Sequence, residues 1–500
     1  MKILFVSTEV LSVAKTGGLA DAVFGLAREI RDLGHDVRFL IPYYHHVQEN
    51  ANYAHANYLT NLENVFPNID VQILTANTAL AGIPVYFIAH QIYSEHPDAG
   101  IYVNDANEVW EDNHIRFGIL NKVAAMFTLE NSGIGWTPDI LHAHDWSSAL
   151  APVYVHLNNT SQVATVLTLH NLAFQGLFDS NVLPQLLLPH ELWDSGELQL
   201  WDRLSWLKAG ICFSNVVTTV SPSYRNQVLK GKQGMGLEEC LRAFHPEMPG
   251  ILLGVSKDIW NPQENNYIVQ NFDVDNLAGK RACKKFLQEK YGLIQSRDSI
   301  LISTVSRLAY QKMGDLLDDI ARTILVKHPD AQFIFAGLGE PDVQAKLLEL
   351  QQEYPGRVAC VLEANERLFH QVYAGADIVV HGARWEPCGL SHRYAMLFGT
   401  VPVVSYVDGL IDAVCDPEVD GSLGLQNGFF AVEPTVNSMS IAILRALDCF
   451  ENKAKWLEIQ REIMTNSIGW SSAGIEYERL YEMLLEGISI SRSAPVSTEV

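Results

Sequence analysis

Strand-length apolar runs alternate with longer amphipathic stretches along this chain, and they do so in two successive series. A short apolar run fits a buried strand, and a stretch with period 3.6 fits a helix laid against it. Their alternation marks parallel α/β sheets. The first series predicts strands at Ile3–Ser7, Val37–Ile41, Val85–Ile88, Ile140–His142, Val166–Thr168 and Val216–Val220, with a helix over Asp21–Leu33 that stops at Gly34. The second predicts strands at Ile300–Val305, Gln332–Ala336, Val358–Val361, Ile378–Val380 and Val401–Val404. A chain of 500 residues is too long for one core, so two large units follow. Gly254, Asn261 and Pro262 break regular structure within Leu253–Pro262 and mark the connection. The expected division is a Rossmann-like unit over 1–255 and a second over 256–470. A closing helix within 471–488, about Ala473–Leu485, packs back on the first unit, and a Ser-rich tail over 489–500 carries no structure. Two such units facing each other place a deep cleft at the carboxyl ends of their sheets, where chemistry is to be sought.

Charge narrows the partners. The chain carries 35 basic and 58 acidic side chains, a formal net charge of −23. That field repels nucleic acid and anionic membranes, and it is indifferent to a neutral polymer. A phosphorylated substrate then needs a local basic pocket. No run of 18 apolar residues occurs, so no membrane span is expected. The apolar start Met1–Val6 runs straight into Ser7-Thr8-Glu9 and reads as a strand, not a secretion signal. The seven cysteines are scattered without a CxxC pair, which suits a reducing cytoplasm and argues against structural zinc. No His, Cys, Asp or Glu cluster has metal-ligand spacing, and no cofactor is expected.

The first strand leads into Lys15-Thr16-Gly17-Gly18-Leu19-Ala20-Asp21 and then a helix. Two glycines at such a turn let the backbone approach a ligand, and a helix N-terminus favours an anion. The spacing is not GxGxxG, which disfavours a nicotinamide cofactor. Further motifs follow in order: Tyr102 and Asp112-Asn113 with Arg116-Phe117, His142-Ala143-His144-Asp145-Trp146, Thr168-Leu169-His170-Asn171 through Gly176, and Val220-Ser221-Pro222-Ser223-Tyr224. Then come Ser306-Arg307-Leu308 with Gln311-Lys312, and Glu386-Pro387-Cys388-Gly389-Leu390 before Tyr394-Ala395-Met396.

Taken together, and over residues 1–485, these motifs resemble those of bacterial glycogen synthases and plant starch synthases. The resemblance implies a GT-B fold, usually ADP-glucose as donor, an α-1,4-glucan as acceptor, retention of anomeric configuration and no metal. It implies that Arg307 and Lys312 stabilise the departing diphosphate, with the Gly17–Gly18 amides contributing. Glu386 stands against the donor glucose, Asp145 near glucose and acceptor, and His170 against the glucose 6-hydroxyl. The same resemblance puts Lys15, Asp21, Tyr102, Asn113, Asn171, Cys388, Gly389, Leu390 and Ser391 among the substrate contacts. The chemistry is coherent: without a metal, charge developing on a leaving phosphate must be met by fixed cations and backbone donors.

The chain departs from the family mostly in its second half. Met313 follows Lys312 where a glycine is usual, Ala364 stands where some members stack a tyrosine on adenine, and His392-Arg393 replaces Gln-Leu. Val407-Asp408-Gly409-Leu410 stands where the family has Thr-Gly-Gly-Leu. Asp408 is expected either to cap the following helix or to face the donor phosphates and weaken donor use. These departures leave open another sugar donor or acceptor, or a weakly active or inactive glucan-binding regulatory homologue.

Overall fold

The computed structural model describes residues 1–96, 100–104, 108–158, 162–231, 233–296, 298–466 and 468–487. The expected tail over 489–500 lies outside the described residues. The chain divides into two compact units, Met1–Gly254 with Trp470–Val500, and Val255–Gly469.

The first unit is built on β1 (Lys2–Val6), β2 (Asp36–Pro42), β3 (Asn57–Phe66), β4 (Ile69–Thr75), β5 (Val85–Ala89), β6 (Ile140–His144), β7 (Ala164–Leu169) and β11 (Val216–Thr219). Their order across the sheet is β11-β7-β6-β1-β2-β5-β4-β3. Strands β11 to β5 pair in parallel, with Phe5 of β1 opposite both Phe39 and His142. Ile3 to Val6 are fully buried, as a parallel strand covered on both faces requires. The remaining pairs, β3 with β4 and β4 with β5, are antiparallel. This ribbon escaped the sequence reading because much of β3 faces solvent and carries Asn57, Asn61, Glu63 and Asn64. It has no continuous apolar run to betray it. A small second sheet joins β8 (Leu177–Phe178), β10 (Arg203–Ser205) and β9 (Gln199–Leu200).

The first helix spans Gly18–Asp32, one turn earlier than its apolar spacing suggested. Gly17, extended at φ −149°, is its N-cap, so the glycines that look like loop residues are the helix start. Past its end Gly34 takes φ +98°, the left-handed stop that glycine tolerates best. The helix Ser471–Leu485 packs on it. Trp470 sits so close to Gly25 that a Cβ there would lie 2.1 Å from the indole Cε2. From the same helix Tyr481 bonds His142 Nδ1 (2.7 Å), and Tyr477 reaches Thr168 (3.1 Å) and Thr218 (3.0 Å).

The second unit holds one parallel sheet of β12 (Ile300–Val305), β13 (Ala331–Ala336), β14 (Val358–Val361), β15 (Ile378–His381), β16 (Val401–Ser405) and β17 (Phe429–Ala431). The order is β14-β13-β12-β15-β16-β17. Alternate side chains feed two large cores, and Ala383, Val404, Leu410, Val414 and Phe430 form a smaller third. Ile300, Ile302, Ile378 and Val380 join Ile320, Ile324, Ile443 and Leu447 on one face. Leu301, Val305 and Val379 join Leu287, Val372 and Phe398 on the other.

Numbering only the parallel strands, both sheets run 3-2-1-4-5-6, the doubly wound order. In that order the connections leave in opposite directions from the two central strands. The switch points therefore lie at the carboxyl ends of β1 and β6 in the first unit, and of β12 and β15 in the second. All seven cysteines are free, although Cys212 and Cys240 approach to 3.6 Å as thiols.

Candidate active site

Each switch point gathers the residues that the motifs had scattered along the sequence. In the first unit the loop after β1 carries Glu9 and Lys15–Gly18, and Asp145 caps the end of β6. His170 and Asn171 follow β7 directly.

Glu9 organises this half, and no motif singled it out. Its Oε2 accepts the N–H groups of Thr16 (2.6 Å) and Gly17 (2.9 Å), and its Oε1 accepts the Tyr102 hydroxyl (2.8 Å). Burial raises its carboxyl above the ordinary range, against the pull of these three donors. This changes the expected part of Gly17, whose amide is committed to Glu9. The signal available in sequence was position alone: an acid three residues past the first strand of an α/β unit.

Lys15 Nζ pairs with Asp21 at 2.8 Å. Tyr102 also meets Thr8 Oγ1 (2.7 Å). Asn113 is fully buried and spends its side chain on the Tyr102 carbonyl (2.9 Å) and on Arg116 (2.8 Å). Tyr102 and Asn113 thus brace the Glu9 loop.

Asp145 adopts φ +63°, an uncommon conformation for an aspartate and a frequent one at functional sites. Burial pushes its carboxyl up to about 7, while the N–H groups of Asn171, His170 and Trp146 oppose the rise. His170 Nε2 stands 3.2 Å from His144 Nδ1. Burial lowers His170 to about 3, so its imidazole is neutral near pH 7, and burial depresses His142 and His144 as well. Asn171 turns its own side chain back to the Ala173 N–H (3.1 Å).

In the second unit the loop after β12 carries Arg307 and Lys312, and the loop after β15 carries Glu386–Leu390. Gln311 stitches the two together. Its Oε1 accepts Arg307 Nη2 (3.3 Å), and its Nε2 donates to the Trp385 carbonyl (3.1 Å). Arg384 adds a bidentate pair with Asp315 (2.7 and 2.9 Å) and lies 3.7 Å over the Tyr310 ring. Lys312 Nζ is in direct contact with Glu386 Oε2, which also meets His381 Nε2 at 2.9 Å. Burial, and then the Arg307 guanidinium, push the Lys312 ammonium down to about 7. His381 and His392 are buried and neutral, held well below the ordinary range by that burial.

The turn Glu386–Ser391 is tightly determined. Gly389 has φ +72°, and a Cβ there would lie 2.7 Å from Leu410 Cδ2. Cys388 is buried, with its sulfur 3.9 Å from Arg393 Nη1, and Leu390 caps the helix Ser391–Leu397. Ser391 donates to the Val305 carbonyl (2.8 Å) and meets Tyr373 (2.6 Å), so its hydroxyl ties this turn to β12.

Two departures find a backbone reason. Met313 has φ +55° and Asp408 φ +40°, the left-handed region that suits the family's glycines. Met313 offsets that cost with a fully buried side chain. Asp408 does not meet the first of the two expectations held for it. It makes no helix-cap hydrogen bond, and its Oδ2 accepts the Glu386 N–H at 2.9 Å. Burial, then Asp412, raise its carboxyl to about 7. Ala364 lies exposed in the loop after β14. Among the described residues no group of three or more His, Cys, Asp or Glu side chains could hold a metal ion. No helix among them is long and apolar enough to cross a membrane.

The chain is similar to known proteins over most of its length. The family described as Starch synthase catalytic domain matches residues 2–243, and Glycosyl transferases group 1 matches residues 288–462. A glycogen synthase of Nitrosomonas europaea is 35% identical over 97% of this chain and 98% of its own length. One of Burkholderia thailandensis is 35% identical over 96% of this chain and 90% of its own. Among solved structures, the catalytic domain of starch synthase IV from Arabidopsis thaliana, bound to ADP and acarbose, superposes with a TM-score of 0.86. It is 28% identical, covering 97% of this chain and 99% of that one.

Proposed function

The chain belongs to the glycogen and starch synthase family, and from that premise we propose that it uses ADP-glucose to extend the non-reducing end of an α-1,4-glucan with retention of configuration. It is a glucosyltransferase with the GT-B fold. The observation that carries the reading is the Arg307–Lys312–Glu386 constellation at the switch point of the second sheet.

Departure of a nucleoside diphosphate puts negative charge on its phosphate oxygens. Arg307 offers a planar fork and Lys312 a compact point charge, and both are already in place when that charge develops. Glu386 stands against the donor glucose, where a carboxylate steadies oxocarbenium character. In the resting arrangement Lys312 and Glu386 satisfy one another, so donor binding separates that pair and turns each toward its own part of the substrate. Asp145 and the neutral His170 contact the glucose, and Asn171 and the Lys15–Asp21 loop complete the substrate contacts. Cys388, Gly389, Leu390 and Ser391 shape the turn that presents Glu386. The departing phosphate itself takes the acceptor's proton, and no cofactor is used. ADP in the Arabidopsis relative supports an adenine nucleotide. The bacterial glycogen synthase relatives support a cytoplasmic enzyme.

The test is elongation of a glucan primer with ADP-, UDP- and GDP-glucose in parallel. ADP-glucose is expected to be used best. Exposed Ala364 offers no ring to the base, so its advantage over UDP-glucose stays below about a hundredfold, which is roughly 2.7 kcal/mol. Elongation with none of the three overturns the assignment.

A further inference from the structure

Glu386 is the one acid of the second half-site whose orientation the reaction depends on, and its backbone is held from outside its own loop. Strand β16 ends at Ser405, and a short helix follows over Asp408–Ile411. From there Asp408 Oδ2 accepts the Glu386 N–H at 2.9 Å, and the Gly409 N–H donates to the Glu386 carbonyl at 3.0 Å. The two chains touch so closely that a Cβ on Gly409 would lie 2.3 Å from the Pro387 carbonyl oxygen. Both backbone groups of Glu386 are thus gripped by neighbours 408 and 409, while its carboxylate meets Lys312 and His381.

Asp408 is costly where it stands. Its side chain is almost completely buried, beside the carboxylate of Asp412, and its backbone takes a left-handed φ that glycine adopts without strain. A buried carboxylate of this kind needs a donor, and the donor it has is the amide of Glu386. Loop geometry alone does not demand it, because Gly409 already fastens the same residue through the carbonyl. What the aspartate adds is a second fixed point, which sets how Glu386 is rotated about its own backbone.

We propose that Asp408 is a positioning residue for Glu386, acting through the Glu386 amide and touching no substrate itself. The inference rests on the role given to Glu386 above. It reverses the sign expected from sequence: removing this carboxylate lowers activity instead of relieving repulsion from a donor phosphate.

The experiment is a double-mutant cycle in ADP-glucose-dependent elongation, with Asp408→Gly, Asp408→Asn, Glu386→Ala and the Asp408→Gly/Glu386→Ala pair. Glycine accepts the left-handed backbone, so it deletes the hydrogen bond without adding strain, and its melting temperature confirms that it folds. A displacement well under 1 Å suffices to lower kcat about tenfold, with the donor KM within roughly twofold of wild type. In the Glu386→Ala background the same glycine changes kcat by less than about twofold, because the group it positions is gone. Asp408→Asn, which keeps an acceptor oxygen, retains at least about a third of wild-type kcat. Wild-type kcat in Asp408→Gly overturns the inference. So does an equal loss in both backgrounds, or an asparagine variant as impaired as the glycine. Full activity in Glu386→Ala alone instead brings down the role of Glu386, so the two failures can be told apart.

Discussion

Arg307 and Lys312 reach the same neighbourhood by different routes. Arg307 is held through Gln311, whereas Lys312 touches Glu386 directly. If both act on charge that exists only as the diphosphate leaves, alanine at either lowers kcat by roughly 10²–10³ and leaves the donor KM comparatively unchanged. A raised KM at normal kcat would show that they bind donor and nothing more. Asp145 allows a test without turnover. Its folded pKa is about 7, against roughly 3.9 in an unfolded chain. Between those values the folded protein keeps a proton that the unfolded chain has released. The stability cost is therefore absent below about pH 4, grows as pH rises, and is complete above about 7. Relative to wild type, Asp145→Asn gains about 4 kcal/mol of unfolding free energy between pH 4 and pH 8, read from denaturant midpoints. A pH-independent difference refutes the burial argument. At this scale the motifs name residues that the structure places at the two switch points, and they give little of what those residues touch. Lys312 and Glu386 were each legible from motif, yet their mutual contact depends on two strands that are neighbours only in the sheet. Glu9 and His381 sit in no recognised pattern and declare themselves through hydrogen bonds alone. Asp408 was legible as an exception, but its partner was not.

The elements that present these residues were largely readable where they are buried on both sides. Strand β12 and strand β14 run over the very residues whose apolar runs announce them, because continuous burial leaves little room for polar interruption. The antiparallel ribbon of β3 and β4 and the short β17 were not readable, the first for its polar outer face and the last for its three-residue length. The loop between β1 and the helix Gly18–Asp32 shows a further limit. Its glycines suggested a free anion cradle, and the structure instead ties Thr16 and Gly17 to Glu9. Glu9→Ala removes the acceptor from both amides and from Tyr102. Those two amides then exchange with solvent at least about tenfold faster, given that a hydrogen bond to a charged group is worth about 1.5–3 kcal/mol. Elongation kcat/KM falls with them, while strands β12 to β17 keep their exchange protection. Unchanged exchange at Thr16 and Gly17 would mean that the loop is held by something other than Glu9.

At the scale of the whole molecule, the charge of −23 makes the source of local cations the question. If Arg307 and Lys312 are the local cations that an anionic donor meets inside this acidic envelope, elongation continues at its full rate in excess EDTA. Loss on chelation, restored by magnesium or manganese, would transfer that role to a metal. The division of the chain allows a stronger test. The first unit is discontinuous, because Trp470 onward belongs with Met1–Gly254. In the helix Ser471–Leu485, Tyr477, Leu480 and Tyr481 are buried, and Trp470 covers Gly25. At about 1.5–3 kcal/mol for each large side chain, those four contribute on the order of 6–12 kcal/mol. A whole domain commonly has only about 5–15 kcal/mol of net stability. The hydroxyls of Tyr477 and Tyr481 also bond Thr168, Thr218 and His142; a truncation removes the partner of His142 Nδ1 and thins the network that Thr168 shares with Thr218 and His142 Nε2. The second unit ends at Gly469, and none of its three hydrophobic clusters draws on these contacts. A chain ending at Gly469 is therefore expected to lose slow hydrogen exchange throughout β1, β6 and β7 and to keep it in β12, β13 and β15. Protection lost equally from both units would show that they unfold as one. Protection kept in β1, β6 and β7 would show that the last helix only decorates a unit able to stand without it.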